Sequence, residues 1–147
     1  MKRQCYLCGK MALIRKYEAH CSECMKMYAR MRIGVSSVIN SSLKYVIKSY
    51  IWDFLPYSVS ELKIHLQSQF EPWMSWQNRG RYIASKWNDS DVSTWVWQID
   101  HIIPQSNFLF LSIGEVNFVD CWSLNNLRPL SAKENSIKHT KESMTIS

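Results

Sequence analysis

Four of the five cysteines form two closely spaced pairs, and this spacing constrains the fold more than any other feature of the chain. The pairs read CYLC at 5–8 and CSEC at 21–24, so the pattern is C-x2-C-x12-C-x2-C. Two such pairs can present four thiolates tetrahedrally to one Zn²⁺ and close a unit that is too small for a core of its own. The expected ligands of this structural zinc are Cys5, Cys8, Cys21 and Cys24.

Other interpretations of the cysteines are weaker. Disulfides are disfavoured in a cytoplasmic chain, and a redox-active CxxC pair is disfavoured because no βαβ pattern surrounds either pair. His20 could substitute as a ligand, but four cysteines already fill a tetrahedral site, which favours a surface position for this histidine. The fifth cysteine, Cys121, stands alone in DCWSL and is expected to be a buried apolar thiol.

The composition indicates one folded domain with a small appended module and no membrane span. Hydrophobic residues make up 46% of the sequence and aromatic residues 13%, which is enough for a core and argues against disorder. No apolar run approaches the roughly 18 residues of a membrane helix, and the opening MKRQCYLCGK lacks the apolar stretch of a signal peptide. We therefore expect a cytoplasmic protein with no membrane partner.

The net charge of +6 is concentrated in the first part of the chain. Residues 1–50 contain ten Lys or Arg and two Asp or Glu, a balance of +8, whereas residues 51–147 contain eight and ten, a balance of −2. A basic part joined to a near-neutral, aromatic part indicates binding to an anionic polymer. A solvated basic helix is an equal alternative on charge alone. The candidate DNA contacts here are Arg30 and Arg32, in MKMYARMR at 25–32.

Helical periodicity dominates the middle of the chain. Apolar residues recur at helical spacing from 35 to 51 and predict an amphipathic helix that packs on the protein itself. A second helix is predicted over 58–70, where Ser58 and Glu61 fit a capping box. The segment 71–80 is predicted to be a loop whose two tryptophans could stack on bases but by default anchor the core.

Two titratable residues interrupt the most apolar strand of the chain. TWVWQIDHIIPQS at 94–106 alternates as a strand, and Pro104 ends it shortly after Asp100 and His101. A buried Asp-His pair at a strand end can be a simple hydrogen-bonded couple. The residues that follow decide between this structural role and a chemical one.

A second strand and a helix follow this pair. After a loop over 105–120, a short strand is predicted within 121–130, and a helix over 131–139 begins at a capping box. Asn135 and His139 are four residues apart and so lie on one face of that helix. Strand, loop, strand and helix converging on Asp, His, Asn and His is the geometry of a metal site.

These residues carry a resemblance to a known family. The pair DH at 100–101 is followed by Asn126 after 24 residues and by Asn135 after 8 more. With WQIDHIIPQSNF and CWSLNNLRPLSAKENSIKH around them, they resemble the HNH endonucleases, in the form common in phages that often has an N-terminal zinc-knuckle module. The resemblance spans most of the chain and is weakest over 79–93, which looks like an insertion.

The resemblance implies a fold and an activity. The implied fold is α+β, with a four-cysteine zinc module and basic segment at 1–32, a helical connecting region at 33–93, and a ββα-metal (His-Me finger) nuclease core at 94–147. The implied activity is hydrolysis of DNA phosphodiester bonds to 5′-phosphate and 3′-hydroxyl ends, in phage homing or DNA processing in the host cytoplasm. One chain should nick DNA, and a double-strand cut would need a homodimer or two successive events.

Roles in this reaction follow from the resemblance, residue by residue. His101 would be the general base, and an imidazole suits that task near neutral pH. Asp100 and Asn135 would hold one divalent cation, Mg²⁺ or Mn²⁺, and His139 is an open third ligand because colicin-type relatives carry histidines at both helix positions. Asn126 would hold the loop that bears His101 by bonding its backbone.

The candidate phosphate contacts in this part of the chain are Arg128 and Lys138, although a solvated helix face explains Lys138 equally well. Two functions of other classes stay open beside the nuclease. One is a non-catalytic zinc-ribbon protein that binds nucleic acid with a decayed nuclease core. The other is a zinc-stapled adaptor that binds protein, which predicts no affinity for DNA.

Overall fold

The structure is a computed structural model that describes residues 2–14 and 19–146, with side chains as far as residue 141. The parts of the expected zinc module and nuclease core that fall on residues 1, 15–18 and 147 lie outside these ranges. The described chain is α+β, as expected, with four α-helices and two small antiparallel sheets. None of these helices combines the length and the apolar character that a membrane span requires. The elements are β1 (Lys2–Gln4), β2 (Met11–Leu13), α1 (Ser22–Ser42), α2 (Val59–Gln67), β3 (Trp97–His101), α3 (Val116–Cys121), β4 (Leu127–Ser131) and α4 (Ala132–Ile146).

The chain packs as two compact units, and each unit is built from two stretches of sequence. The first comprises Met1–Val59 and Gln105–Cys121, and the second comprises Ser60–Pro104 and Trp122–Ser147. This division cuts across the three segments expected from the sequence. The reason is that residues 105–121 pack with the N-terminal stretch, although the chain on either side of them belongs to the second unit.

In the first unit a small hairpin precedes a long helix. β1 and β2 pair antiparallel, with Lys2 opposite Leu13. α1 follows Cys21 directly, and its buried residues recur every three to four positions or a multiple of that spacing, as a helix with one apolar face requires. Those on the apolar face are Cys24, Tyr28, Val35 and Ile39.

The predicted boundaries of this helix, 35–51, are wrong at both ends. It begins at Ser22 because the second cysteine pair forms its first turn, and it ends at Ser42 because the chain then turns back. The indole N–H of Trp52 donates to Ser42 Oγ at 3.1 Å, and Ser42 Oγ donates to Val38 O at 2.7 Å. Trp52 lies in a short 3-10 turn, so this apolar stretch packs without continuing the helix.

Residues 105–121 contain a helix where the sequence predicted a loop. α3 carries Phe118, which meets Phe110 edge-to-face at a centroid distance of 5.4 Å. Phe110 in turn meets Tyr28 of α1 edge-to-face at 5.4 Å. Cys121 ends α3 and is buried, as expected, and burial raises the pKa of its thiol to about 12. Aromatic packing thus fixes a stretch whose sequence has no clear helical period.

The second unit is built around α2 and the buried Trp97. α2 is shorter than the predicted 58–70, but Leu62 and Leu66 are fully buried, as its periodicity requires. Trp97 opens β3 and its indole N–H donates to Ser75 O at 2.6 Å. The rings that pack edge-to-face on Trp97 are Phe70 and Trp76. Trp76 therefore anchors the core, which was the default expectation for the tryptophans of this loop.

β3, β4 and α4 form one continuous arrangement in the second unit. The strands pair antiparallel, with Trp97 opposite Ser131 and His101 opposite Leu127. α4 begins directly after β4, where the backbone N–H of Glu134 donates to Ser131 Oγ at 3.2 Å, as one half of a capping box would. This abrupt transition brings the first turns of α4 against β3.

Candidate functional site

The four paired cysteines meet in the first unit. Their Sγ atoms all lie within 4.8 Å of one another, and His20 is not a member of this group. The N–H of Cys21 donates to Cys5 Sγ at 3.2 Å, and this contact lowers the pKa of the Cys5 thiol to about 5. Burial instead raises the pKa of the Cys24 thiol. The cluster could hold a metal ion such as zinc, and its cysteines form no disulfide.

A second group of polar residues is buried in the second unit. Apart from the cysteines, five polar or charged side chains are buried among the residues the structure describes, and one of them, Ser42, belongs to α1. The other four are Asp100, His101, Asn126 and Asn135. We call these four residues the buried polar set. They are the residues on which the sequence resemblance rested.

Asp100 is enclosed by two cations. It is 1% exposed and lies directly opposite Arg128 in the β3–β4 pair. Arg128 Nε donates to Asp100 Oδ2 at 2.8 Å, and Lys138 Nζ donates to Asp100 Oδ1 at 2.9 Å. Lys138 also donates to the carbonyl oxygens of His101 and Ile102, at 2.7 and 3.3 Å. Each carboxylate oxygen of Asp100 therefore already accepts a charge-assisted hydrogen bond.

His101 has different neighbours from Asp100, as alternation along a strand requires. Its ring meets Trp122 edge-to-face at a centroid distance of 4.4 Å, and only 9% of the residue is exposed. The chain just after it is held by Asn126. The N–H of Ile103 donates to Asn126 Oδ1 at 2.7 Å, Asn126 Nδ2 donates to Ile103 O at 3.2 Å, and the N–H of Ile102 donates to Asn126 O at 2.8 Å. These contacts fix the backbone that follows the imidazole.

Asn135 joins α4 to β3 and borders a pocket. Its Nδ2 donates to Gln98 Oε1 at 2.8 Å, whereas its Oδ1 has no hydrogen-bond partner among the described residues although the side chain is only 5% exposed. The pocket has a volume of about 500 Å³, and its lining includes Gln98, Asn135, His139 and Arg81. The structure thus brings Asn135 and His139 to one open pocket.

The four candidate DNA contacts lie in different settings. Arg30 is exposed on α1, whereas Arg32 is half-buried and its guanidinium carbon lies 5.7 Å from the centre of the Tyr28 ring. Arg128 and Lys138 form ion pairs with Asp100, so their charges are already paired with a carboxylate of the protein. Of the four, Arg30 is the cation that solvent reaches most directly.

Sequence reasoning missed Gln98 and His65 in this region, and it expected Lys138 to contact phosphate and not Asp100. Gln98 positions Asn135, and Lys138 holds Asp100 and the backbone after β3. His65 of α2 donates from Nε2 to Leu127 O, 2.8 Å away, at the start of β4. The signal for Gln98 was available in the sequence, because it is two positions from Asp100 and so shares its strand face. For His65 no such local signal exists.

Comparisons with known proteins give one weak similarity. No protein-family model matches the chain, and no solved structure matches it. The chain is 30% identical over 89 residues to "Uncharacterized protein L426" of Acanthamoeba polyphaga mimivirus. The aligned stretch is 60% of this chain but 32% of the viral protein, so the chain spans about a third of that relative's length. The name of the viral protein states no activity.

Proposed function

We propose that this chain is a metal-dependent DNA endonuclease of the HNH type. In this proposal β3, β4 and α4 form a ββα-metal core, and the four paired cysteines hold a structural zinc. DNA is the partner, and the basic N-terminal stretch supplies part of the binding. The proposal rests on residues and geometry, since the comparisons name no nuclease.

The observation that carries the proposal is the membership of the buried polar set. Burying a polar or charged side chain is unfavourable unless the fold compensates it. Hydrogen bonds compensate Asp100 and Asn126, but the Oδ1 of Asn135 is buried without a partner among the described residues, which favours a ligand site there. Polar and titratable groups that converge in this way favour a functional role.

The residues present also fit a divalent cation. The unmatched Oδ1 of Asn135 is a hard oxygen donor of the kind that Mg²⁺ and Mn²⁺ prefer. His139, which lines the same pocket, would supply a ring nitrogen, and Asp100, which does not line it, would supply a carboxylate oxygen from β3. Because Arg128 and Lys138 already bind both oxygens of Asp100, a cation there competes with these two side chains.

In the proposed reaction His101 accepts a proton from a water molecule. The water oxygen then forms a bond to phosphorus as the bond from phosphorus to the 3′-oxygen breaks, and the 3′-oxygen takes a proton from solvent. When bound, the divalent cation supplies positive charge at the scissile phosphate and at the leaving oxygen. Asn126 fixes the backbone of Ile102 and Ile103 just after His101, so it would position the segment that bears the imidazole.

The test is cleavage of supercoiled plasmid by the full-length chain under a series of divalent metals. The wild type should cut with Mg²⁺ or Mn²⁺ and leave 5′-phosphate and 3′-hydroxyl ends. His101→Ala should cut about 10²–10⁴-fold more slowly, because the general base is lost. Its metal and DNA binding, measured by calorimetry and fluorescence anisotropy, should persist. His20→Gln is the matched control, since this histidine lies in the first unit and outside the buried polar set.

The metal ligands should behave differently from the base. Asp100→Ala and Asn135→Ala should weaken cation binding, so excess metal should restore part of their cleavage but none in His101→Ala. His139→Ala decides whether this histidine is a third ligand, because only a ligand gives a defect that metal rescues. If His101→Ala cuts as fast as the wild type, the enzyme proposal is wrong. DNA binding without any cleavage would favour the zinc-ribbon protein with a decayed core, and the absence of DNA binding would favour the protein-binding adaptor.

A further inference from the structure

The lining of the pocket beside Asn135 and His139 includes a cation but, among the described residues, no anion. Among its described lining residues there is no carboxylate, while Arg81 contributes a guanidinium and Ser136 and Thr140 contribute hydroxyl groups. An open pocket with this lining favours an anion such as a phosphate.

The charge of Arg81 is available to such an anion. Its side chain makes no hydrogen bond or ion pair with any described residue and is exposed. By contrast, Arg128 and Lys138, the phosphate contacts expected from the sequence, are both bound to Asp100. Of these three cations, Arg81 is therefore the one that pairs with no carboxylate among the described residues.

The backbone beside Arg81 is fixed to β3. The N–H of Gly80 donates to Trp97 O at 3.0 Å, and Arg79 forms an isolated parallel bridge with Trp97. Trp97 is fully buried, so this anchor is part of the core of the second unit. The backbone of Arg81 begins one residue after such an anchor, so a bound ligand has to order the side chain but not the backbone, and this lowers the entropic penalty of binding.

We infer that Arg81 binds a phosphate of the DNA strand that is cleaved, in the pocket bordered by Asn135 and His139. The inference rests on the proposed nuclease function. Arg81 lies in 79–93, the stretch where the resemblance to the HNH endonucleases is weakest and which looks like an insertion. Arg81 pairs with phosphate oxygens through its planar fork, as arginine does at bidentate phosphate sites. It is a substrate-binding residue and does not take part in proton transfer.

The test compares Arg81→Gln and Arg81→Lys with Lys86→Gln. Lys86 is exposed in the same segment and does not line the pocket, so its variant removes the same charge from elsewhere. Binding of a fluorescein-labelled DNA duplex is measured over a range of salt concentrations with no divalent metal added. Arg81→Gln should bind about tenfold more weakly at low salt, and its salt slope should fall by about 0.9. Lys86→Gln should match the wild type.

Cleavage of plasmid gives a second measurement. Arg81→Gln should lower kcat/KM at least about tenfold with an unchanged metal concentration for half-maximal rate, and Arg81→Lys should recover only part of the rate because an ammonium lacks the fork. If Arg81→Gln matches Lys86→Gln in both binding and cleavage, the inference is wrong while the nuclease proposal stands. If the wild type binds DNA without cutting it, the salt slope of Arg81→Gln still tests whether Arg81 contacts a phosphate. A wild type that neither binds nor cuts DNA overturns both proposals.

Discussion

Removing Lys138 should destabilise the second unit more than removing an exposed ion-pair partner from the same helix. Lys138 Nζ contacts Asp100 Oδ1 at 2.9 Å and two backbone oxygens at the end of β3. The side chain of Asp100 is 1% exposed and that of Lys138 is 24% exposed, so solvent screens the pair weakly. We expect Lys138→Met to lower the free energy of unfolding.

The size of this effect follows from the geometry. At 2.9 Å and an effective dielectric constant of about 20, the attraction is about 6 kcal/mol before desolvation is subtracted. Losing one partner of a buried pair costs about 3–5 kcal/mol when the other charge is left alone. Arg128 remains on Asp100 Oδ2 at 2.8 Å, so we expect about 2 kcal/mol for Lys138→Met.

The same reasoning predicts that the two cations are not independent. Arg128→Gln should cost about 1 kcal/mol, because 41% of its side chain is exposed. The double variant should cost about 5 kcal/mol, more than the sum, since Asp100 would then be buried without a cation. Adding Asp100→Asn to the double variant should restore roughly half of this loss by removing the charge.

Urea unfolding at neutral pH, followed by tryptophan fluorescence, gives each free energy by linear extrapolation. Lys133→Met is the matched control on α4, because Lys133 pairs with Asp89 at 2.7 Å but the two side chains are 32% and 70% exposed. It should cost at most about 0.5 kcal/mol. The reasoning is refuted if Lys138→Met costs no more than Lys133→Met, or if the double variant costs only the sum of its parts.

Three further predictions concern the other parts of the molecule. The purified chain should contain close to one zinc by elemental analysis, and Cys24→Ser should lose it and melt the N-terminal module, whereas Cys121→Ala should keep it. Arg30→Glu should weaken DNA binding on all sequences and flatten its salt dependence in anisotropy titrations, and unchanged affinity would move the DNA-binding surface elsewhere. Asn126→Ala should cost about 2 kcal/mol. It should also speed hydrogen exchange at the amide of Ile103 but not at Ile102, whose bond is to the backbone; equal protection at Ile103 would contradict the observed contact.

Local patterns predicted the parts of the fold that depend on local chemistry. The cysteine spacing predicted a four-cysteine cluster, because two CxxC turns need few other contacts to converge. The start of α4 at Ala132 followed from Ser131 and Glu134, whose capping contact is local. Strand alternation likewise placed β3 and its end near Pro104.

Features that depend on contacts between residues far apart in the chain could not be predicted from the sequence. α1 ends at Ser42 because Trp52 returns to it, and α3 forms in a stretch held by the ring of Tyr28. The partners of Asp100 could not be chosen from the sequence either. Arg128 reaches it only because the β3–β4 register sets the two opposite each other, and any of several lysines on α4 could have faced it.

The chain crosses between the two units three times, after Val59, after Pro104 and after Cys121. Shortening the chain from either end therefore cannot release an intact unit. Loss of the cysteine-bearing stretch would leave residues 105–121 without the rest of their unit. Loss of the C-terminal stretch would leave β3 without β4, its partner strand. Recombination at a single breakpoint cannot exchange one unit for another, so the cysteine cluster and the buried polar set should be inherited together as one genetic block.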